Sequence, residues 1–164
     1  MFYTPGVAID ASLTYTRDFL CLDYPASWSV RENRLVGLTD FCPSSDPSGA
    51  YPAGIALMTL PETGMDHEAL LRTGMFFLVR DLEAPTVDRL GERHAGHLDW
   101  YHLVVQGRAL ASPGGRNYLH VTKRVALSRP GPGVVTLALY GPTEMVELLV
   151  PAFERLQQSV RLVR

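Results

Sequence analysis

Asn117-Tyr118-Leu119-His120-Val121-Thr122-Lys123-Arg124-Val125-Ala126-Leu127, then Ser128-Arg129-Pro130-Gly131-Pro132-Gly133, then Val134-Val135-Thr136-Leu137-Ala138-Leu139-Tyr140, sets the class of the fold. Two runs of strand length and strand composition flank a turn built from prolines and glycines. So short a connection joins its strands antiparallel, because a parallel pair needs a crossover of a dozen or more residues. Val134–Tyr140 is apolar on both of its faces, so both sides of the sheet need cover.

The pattern extends outward from this hairpin. Leu98–Gln106 reads as the strand before it, connected through Ala111-Ser112-Pro113-Gly114-Gly115-Arg116. Ala53–Leu60 is apolar nearly throughout and predicts another strand buried on both faces,. Towards the N-terminus, Phe19, Cys21 and Asp23 alternate against Leu20, Leu22 and Tyr24, which suits one strand or two within Leu13–Tyr24. Tyr24 to Val30 should turn the chain, since Pro25 has no N–H for a ladder, and Leu35–Phe41 makes a further strand. Cys42–Gly54 holds three prolines, three serines and two glycines and reads as an exposed loop. Two helices are predicted. Asp66 caps the first, through about Leu82, with Leu70, Phe77 and Leu78 as its buried stripe and Gly74 costing ~1 kcal/mol within it. Thr143 caps the second, to about Val160, with Leu149, Ala152, Phe153, Leu156 and Val160 inward; Pro151 should kink it or restart it near residue 150. The whole is an α+β fold, an antiparallel sheet sandwiched between helices, in a single domain spanning residues 1–164.

Composition bounds the function. The 164 residues are 46% hydrophobic and 20% charged, ordinary for a globular domain with its own core,. The net charge is −2 and no run of like charges stands out. Pairs such as Arg89 and Arg93, or Lys123 and Arg124, have acidic or apolar neighbours, so the basic face that phosphate backbones require is missing and nucleic acid is not an expected partner. No stretch is long and apolar enough for a membrane span. Met1-Phe2-Tyr3-Thr4-Pro5-Gly6 lacks the features of a secretory signal, which predicts a cytoplasmic location if Met1 is the natural start. Cys21 and Cys42 are then expected as free thiols, with a Cys21–Cys42 bridge as the alternative for an exported chain. Fourteen arginines against the single Lys123 fit the codon bias of a G+C-rich, bacterial genome better than a selection for arginine chemistry.

Residues 19–30, Phe19-Leu20-Cys21-Leu22-Asp23-Tyr24-Pro25-Ala26-Ser27-Trp28-Ser29-Val30, resemble the opening strand and P-x-x-W turn of the Mog1/PsbP-like family. The late strands and the terminal Phe153-Glu154-Arg155-Leu156-Gln157-Gln158-Ser159-Val160 are similar too, and the likeness spans about residues 14–160. The resemblance implies an α/β/α sandwich. It also implies a role among binding and assembly proteins: a partner of the Ran GTPase, extrinsic subunits of photosystem II, bacterial lipoproteins and small chaperones for transmembrane segments. No catalytic residues are shared across that family, and none is implied here.

The chemistry-bearing candidates are few. His94, His97 and His102 crowd one short segment, and convergence around a turn would let them hold a metal. The competing reading is three surface or half-buried histidines beside a strand. Cys42 beside Pro43 is a thiol without local motif support. No nucleophile elbow, phosphate loop or dinucleotide fingerprint is present, so no catalytic residue and no cofactor is assigned. Trp28 and Trp100 read as core, and Tyr51, in the Pro/Ser loop, as an exposed contact for a partner. The expected function is a noncatalytic protein-binding or assembly module of chaperone type, its partner another protein or a second copy. The alternative is a small-molecule or metal-binding protein, a hydrolase among its forms, using the His94–His102 region.

Overall fold

The computed structural model describes residues 11–43, 53–111 and 114–164. In chain order the elements are β1 (Ser12–Arg17), β2 (Leu20–Pro25), β3 (Trp28–Asn33), β4 (Leu38–Pro43), β5 (Gly54–Pro61), α1 (His67–Val79), β6 (Glu83–Ala95), β7 (Leu98–Leu110), β8 (Tyr118–Ser128), β9 (Gly133–Pro142), α2 (Thr143–Ser159) and β10 (Arg161–Leu162). Seven strands form one antiparallel sheet in the order β3-β4-β5-β9-β8-β7-β6. A second sheet, β1-β2-β10, shares no ladder with it.

The large sheet is two meanders, β3-β4-β5 and β6-β7-β8-β9, joined where β5 pairs β9 from Gly54↔Tyr140 to Pro61↔Gly133. Alternation along the strands divides the apolar residues between two clusters. Trp100, Ala126, Val135, Leu137 and Leu139 join Ile55, Leu57, the small sheet's Leu20 and Leu22, and Val146, Phe153 and Leu156 of α2. Leu103, Val105, Val125, Leu127 and Val134 join Leu70 and Leu71 of α1. Each helix is therefore held by a different set of strand residues, the outcome expected of strands apolar on both faces.

Several local expectations are corrected. Pro25 closes β2 after a two-residue turn at Asp18-Phe19, and Trp28–Val30 begins β3 rather than a turn. Pro25 sits where β2 ends, so its missing N–H costs no central ladder bond. Residues 34–37 form the β3–β4 turn, with Gly37 at φ 66, so the strand expected from Leu35 starts at Leu38. Glu83–Ala95 is a thirteen-residue strand where none was expected. Its polar sequence suits an edge, and Pro85, a bulge on each side of Thr86–Arg89 and its alternating charges discourage further pairing,. Asp66 caps α1 as predicted, accepting from the Ala69 N–H at 2.7 Å. Thr143 does not cap α2; its hydroxyl lies 2.9 Å from that of Thr122, and Pro142 holds the cap position. Pro151 is exposed inside a helix that runs unbroken to Ser159. Cys21 and Cys42 are free thiols.

Candidate functional site

The β6–β7 hairpin places the three histidines of the candidate metal set in separate settings. His94 and Asp99 face each other in register, and His94 Nδ1 lies 2.8 Å from Asp99 Oδ1 on the surface. His97 is exposed in the turn. His102 shares a face with Trp100 and lies against α2, its Nε2 2.9 Å from the amide nitrogen of Gln157, a residue only 3% exposed. Its Nδ1 is buried without a hydrogen-bond partner. Burial, with the Arg93 charge adding to it, lowers the His102 pKa,. Among the described residues no three of His, Cys, Asp and Glu gather to hold a metal ion.

A second polar group, unannounced by any motif, spans the seam between the meanders. Tyr140 on β9 donates its hydroxyl to Asp40 Oδ1 on β4 at 3.0 Å. Gly54 lies between them on β5, where an added Cβ would come within 3.0 Å of Cys42 Sγ and 3.1 Å of Tyr140 Oη. Glycine at that position is what lets the three side chains approach. Burial raises the Asp40 pKa, against the pull of the Tyr140 hydroxyl and Arg31. Burial likewise raises the Cys42 thiol, and the Asp40 carboxylate adds to the shift. Burial also lifts Tyr140 far above the usual phenol range, with the neighbouring Asp40 and Cys42 adding to it. A nucleophilic thiol needs its pKa lowered. This setting does the reverse, so it holds protons rather than activating Cys42. Tyr51, the expected partner contact, lies outside the described residues.

Among the described residues, the two most exposed aromatic side chains lie on α1. Leu70 and Leu71 turn inward; Phe76 faces away, and Phe77, although two turns on from Leu70, is left at the open edge of that face, so the two are 64% and 56% exposed,. The inward position expected for Phe77 is thereby corrected: Leu71, next to Leu70 and two turns before Leu78, takes the core instead. The two rings meet edge to face at 5.5 Å, and the Arg80 guanidinium lies 5.3 Å from the Phe77 ring centre. Arg72, one turn before Phe76, is also exposed. Trp100 is fully buried as expected, whereas Trp28 is half-buried against the same core.

No family model matches the sequence, and no curated protein matches it either. Solved structures do. The solution structure of cyanobacterial PsbP (CyanoP) from Synechocystis superposes with a TM-score of 0.59 at 12% identity, covering 96% of both chains. The fold is PsbP-like. A protein of unknown function from Pseudomonas aeruginosa is similar, with a TM-score of 0.54 at 15% identity over 93% of this chain and 97% of that one. LpqN of Mycobacterium tuberculosis, described as involved in cell envelope biogenesis, gives 0.52 at 14% identity over 94% and 90%. At these identities the PsbP-like likeness speaks for the fold alone.

Proposed function

We propose that this PsbP-like chain is a noncatalytic binding or assembly module whose partner is another protein. The observation that carries the reading is the Phe76–Phe77 pair, two aromatic side chains left open on a helix that already buries Leu70 and Leu71. Large exposed aromatics beside arginines are the side chains from which interface anchors are drawn. The polar side chains of the hairpin and the seam, by contrast, pair within the chain: Asp40 with Tyr140, His94 with Asp99, His102 through Nε2 with Gln157. A chaperone-type role is the narrower form, with α1's aromatic face receiving an apolar segment. The architecture in this reading is a sandwich, α1 over one face of the large sheet and α2 with the small sheet over the other, supported by the alternation of β7, β8 and β9 residues between the two clusters.

Native mass spectrometry of protein purified without affinity or metal steps tests the proposal, run beside Phe76→Ser/Phe77→Ser. A polypeptide retained by the wild type and lost from the double variant is the expected result. A bare chain in both preparations, or an adduct that the double variant keeps, removes the support.

A further inference from the structure

Charge is unevenly spent along α1. Between His67 and Leu82 the chain holds two carboxylates, and each already has a cation. Glu68 is ion-paired to Arg89 of β6 at 2.9 Å, and Asp81 to Lys123 of β8 at 2.7 Å. The two arginines of the same stretch are left over. Arg72 and Arg80 are exposed, and neither has a carboxylate partner among the described residues. Glu92, the exposed acid of β6 on this side of the sheet, is level with Tyr101, which packs on His67 at the start of α1, away from the rings.

The helical period gathers the unspent cations around the open aromatics. Arg72, Phe76 and Arg80 recur at i, i+4 and i+8, so they line one ridge of the helix. Phe77 flanks that ridge, its ring 5.5 Å from the Phe76 ring and 5.3 Å from the Arg80 guanidinium. Thr73, exposed one turn before Phe77, directs its hydroxyl back to the Ala69 carbonyl at 3.0 Å,. The result is one continuous strip, two rings between two cations, about 12 Å long at the rise of a helix.

We infer that the partner engaged by this strip is an acidic peptide segment whose carboxylates bracket aromatic or branched aliphatic side chains. This rests on the binding-module reading and gives it a recognition chemistry. The carboxylates should lie about 12 Å apart, which is about four residues of an extended segment or eight of a helix.

Charge and area select this occupant. A second copy would set Arg72 and Arg80 against their own images across a twofold axis, and cation facing cation costs affinity. The two rings expose on the order of 200 Å², about a quarter of the ~800 Å² that each side of a standard complex buries. That is the footprint of a short anchor rather than of a folded domain. Anionic bilayers are held by clusters of about four to eight cations, against two here. Single-stranded nucleic acid needs a cationic groove and ring faces on which bases stack, whereas these rings meet at 83°,.

Selection from a random dodecapeptide display library tests this, with the wild-type chain as bait and Phe76→Ser/Phe77→Ser as the counter-bait. Enriched peptides are then measured by fluorescence anisotropy against Arg72→Glu/Arg80→Glu and the neutral Arg72→Gln/Arg80→Gln. The expected peptides carry Asp or Glu on both sides of Phe, Trp, Leu or Ile. Their Kd should rise at least about tenfold in the charge-reversed variant, less in the neutral one, and should rise with salt. Exchanging the peptide's acids for lysines should restore binding to Arg72→Glu/Arg80→Glu, a rescue that an unfolded variant could not give. Enriched peptides without acids, lost with the phenylalanines but indifferent to the arginines, overturn the inference and leave the binding-module reading intact. Binding that survives Phe76→Ser/Phe77→Ser takes the site off α1 and removes both. A library that yields no peptide preferring the wild type also overturns the inference; flotation on phosphatidylcholine–phosphatidylglycerol vesicles, abolished in both the Phe and the Glu variants, would then assign the strip to a bilayer.

Discussion

His102 meets α2 through Gln157 while its other ring nitrogen is shut away from water, a setting that accepts a neutral imidazole. Its folded pKa therefore lies below the unfolded one. As pH falls, the unfolded chain binds the proton first, so stability declines from about pH 6.5 downward until the folded ring titrates as well. Wild-type Tm should fall more steeply than that of His102→Gln between neutral pH and about pH 5; parallel curves would refute the linkage. Asp40 carries the opposite sign. With its folded pKa raised, it adds stability fully below the unfolded value near 4 and loses it as pH rises through the folded value,. Asp40→Asn keeps an acceptor for Tyr140 and removes the charge, so it should raise Tm at neutral pH and speed alkylation of Cys42 a few-fold. Unchanged labelling would show that the carboxylate does not bear on the thiol. The histidines were visible in the sequence as a cluster, but their separation was not, because strand alternation and the Gln157 contact are set by distant pairing. Asp40 and Tyr140 are 100 positions apart and share no motif that could have announced them.

At the scale of elements, α1 shows which signals a sequence transmits. The Asp66 cap and Leu70 were legible from capping chemistry and period, whereas the choice between Leu71 and Phe77 for the core depends on how the helix is rolled against β7 and β8. Lys123, only 9% exposed, helps fix that roll. Its ammonium donates to the Leu78 carbonyl at 2.8 Å and to Asp81 at 2.7 Å, placing a cation at the C-terminal end of the helix,. Lys123→Met keeps the apolar stem and removes both bonds. It should cost roughly 1–3 kcal/mol and lower hydrogen-exchange protection in α1 before the central strands. Protection lost evenly across the chain would argue against an anchoring role. Phe76→Ser/Phe77→Ser should by contrast change stability by no more than about 1 kcal/mol, since both rings are already wet; a larger loss in urea melts would mean that the pair packs on the fold. β6 escaped notice because an edge strand is shielded by polarity, and that polarity erases the apolar period by which strands are found.

For the whole molecule, hairpins were readable and the assembly of hairpins was not. Pro/Gly-rich turns disclosed β7-β8-β9, yet nothing in Ala53–Leu60 named β9 as its neighbour, and two residues after α2 were too few to reveal the third strand of a separate sheet. The glycines show how closely the parts are drawn together. Gly96, at φ +64, lies so near the Gln158 carbonyl of α2 that a Cβ has no room, whereas Gly64, at φ +70, faces open space. Gly64→Ala should cost about 1–2 kcal/mol from backbone strain alone, and Gly96→Ala more by about 1–3 kcal/mol from the collision. Equal losses in denaturant melts would mean that the hairpin tip and α2 separate easily. The β5–β9 seam also orders events on the ribosome. β5 leaves the exit tunnel with one edge matched by β4 and the other bare, and its mate is completed some eighty residues later, several seconds at ordinary synthesis rates,. During that interval an apolar strand waits beside a growing chain. Whatever shelters it in the cell, ribosome-bound helper or slow codons, acts on the span between Pro61 and Gly133.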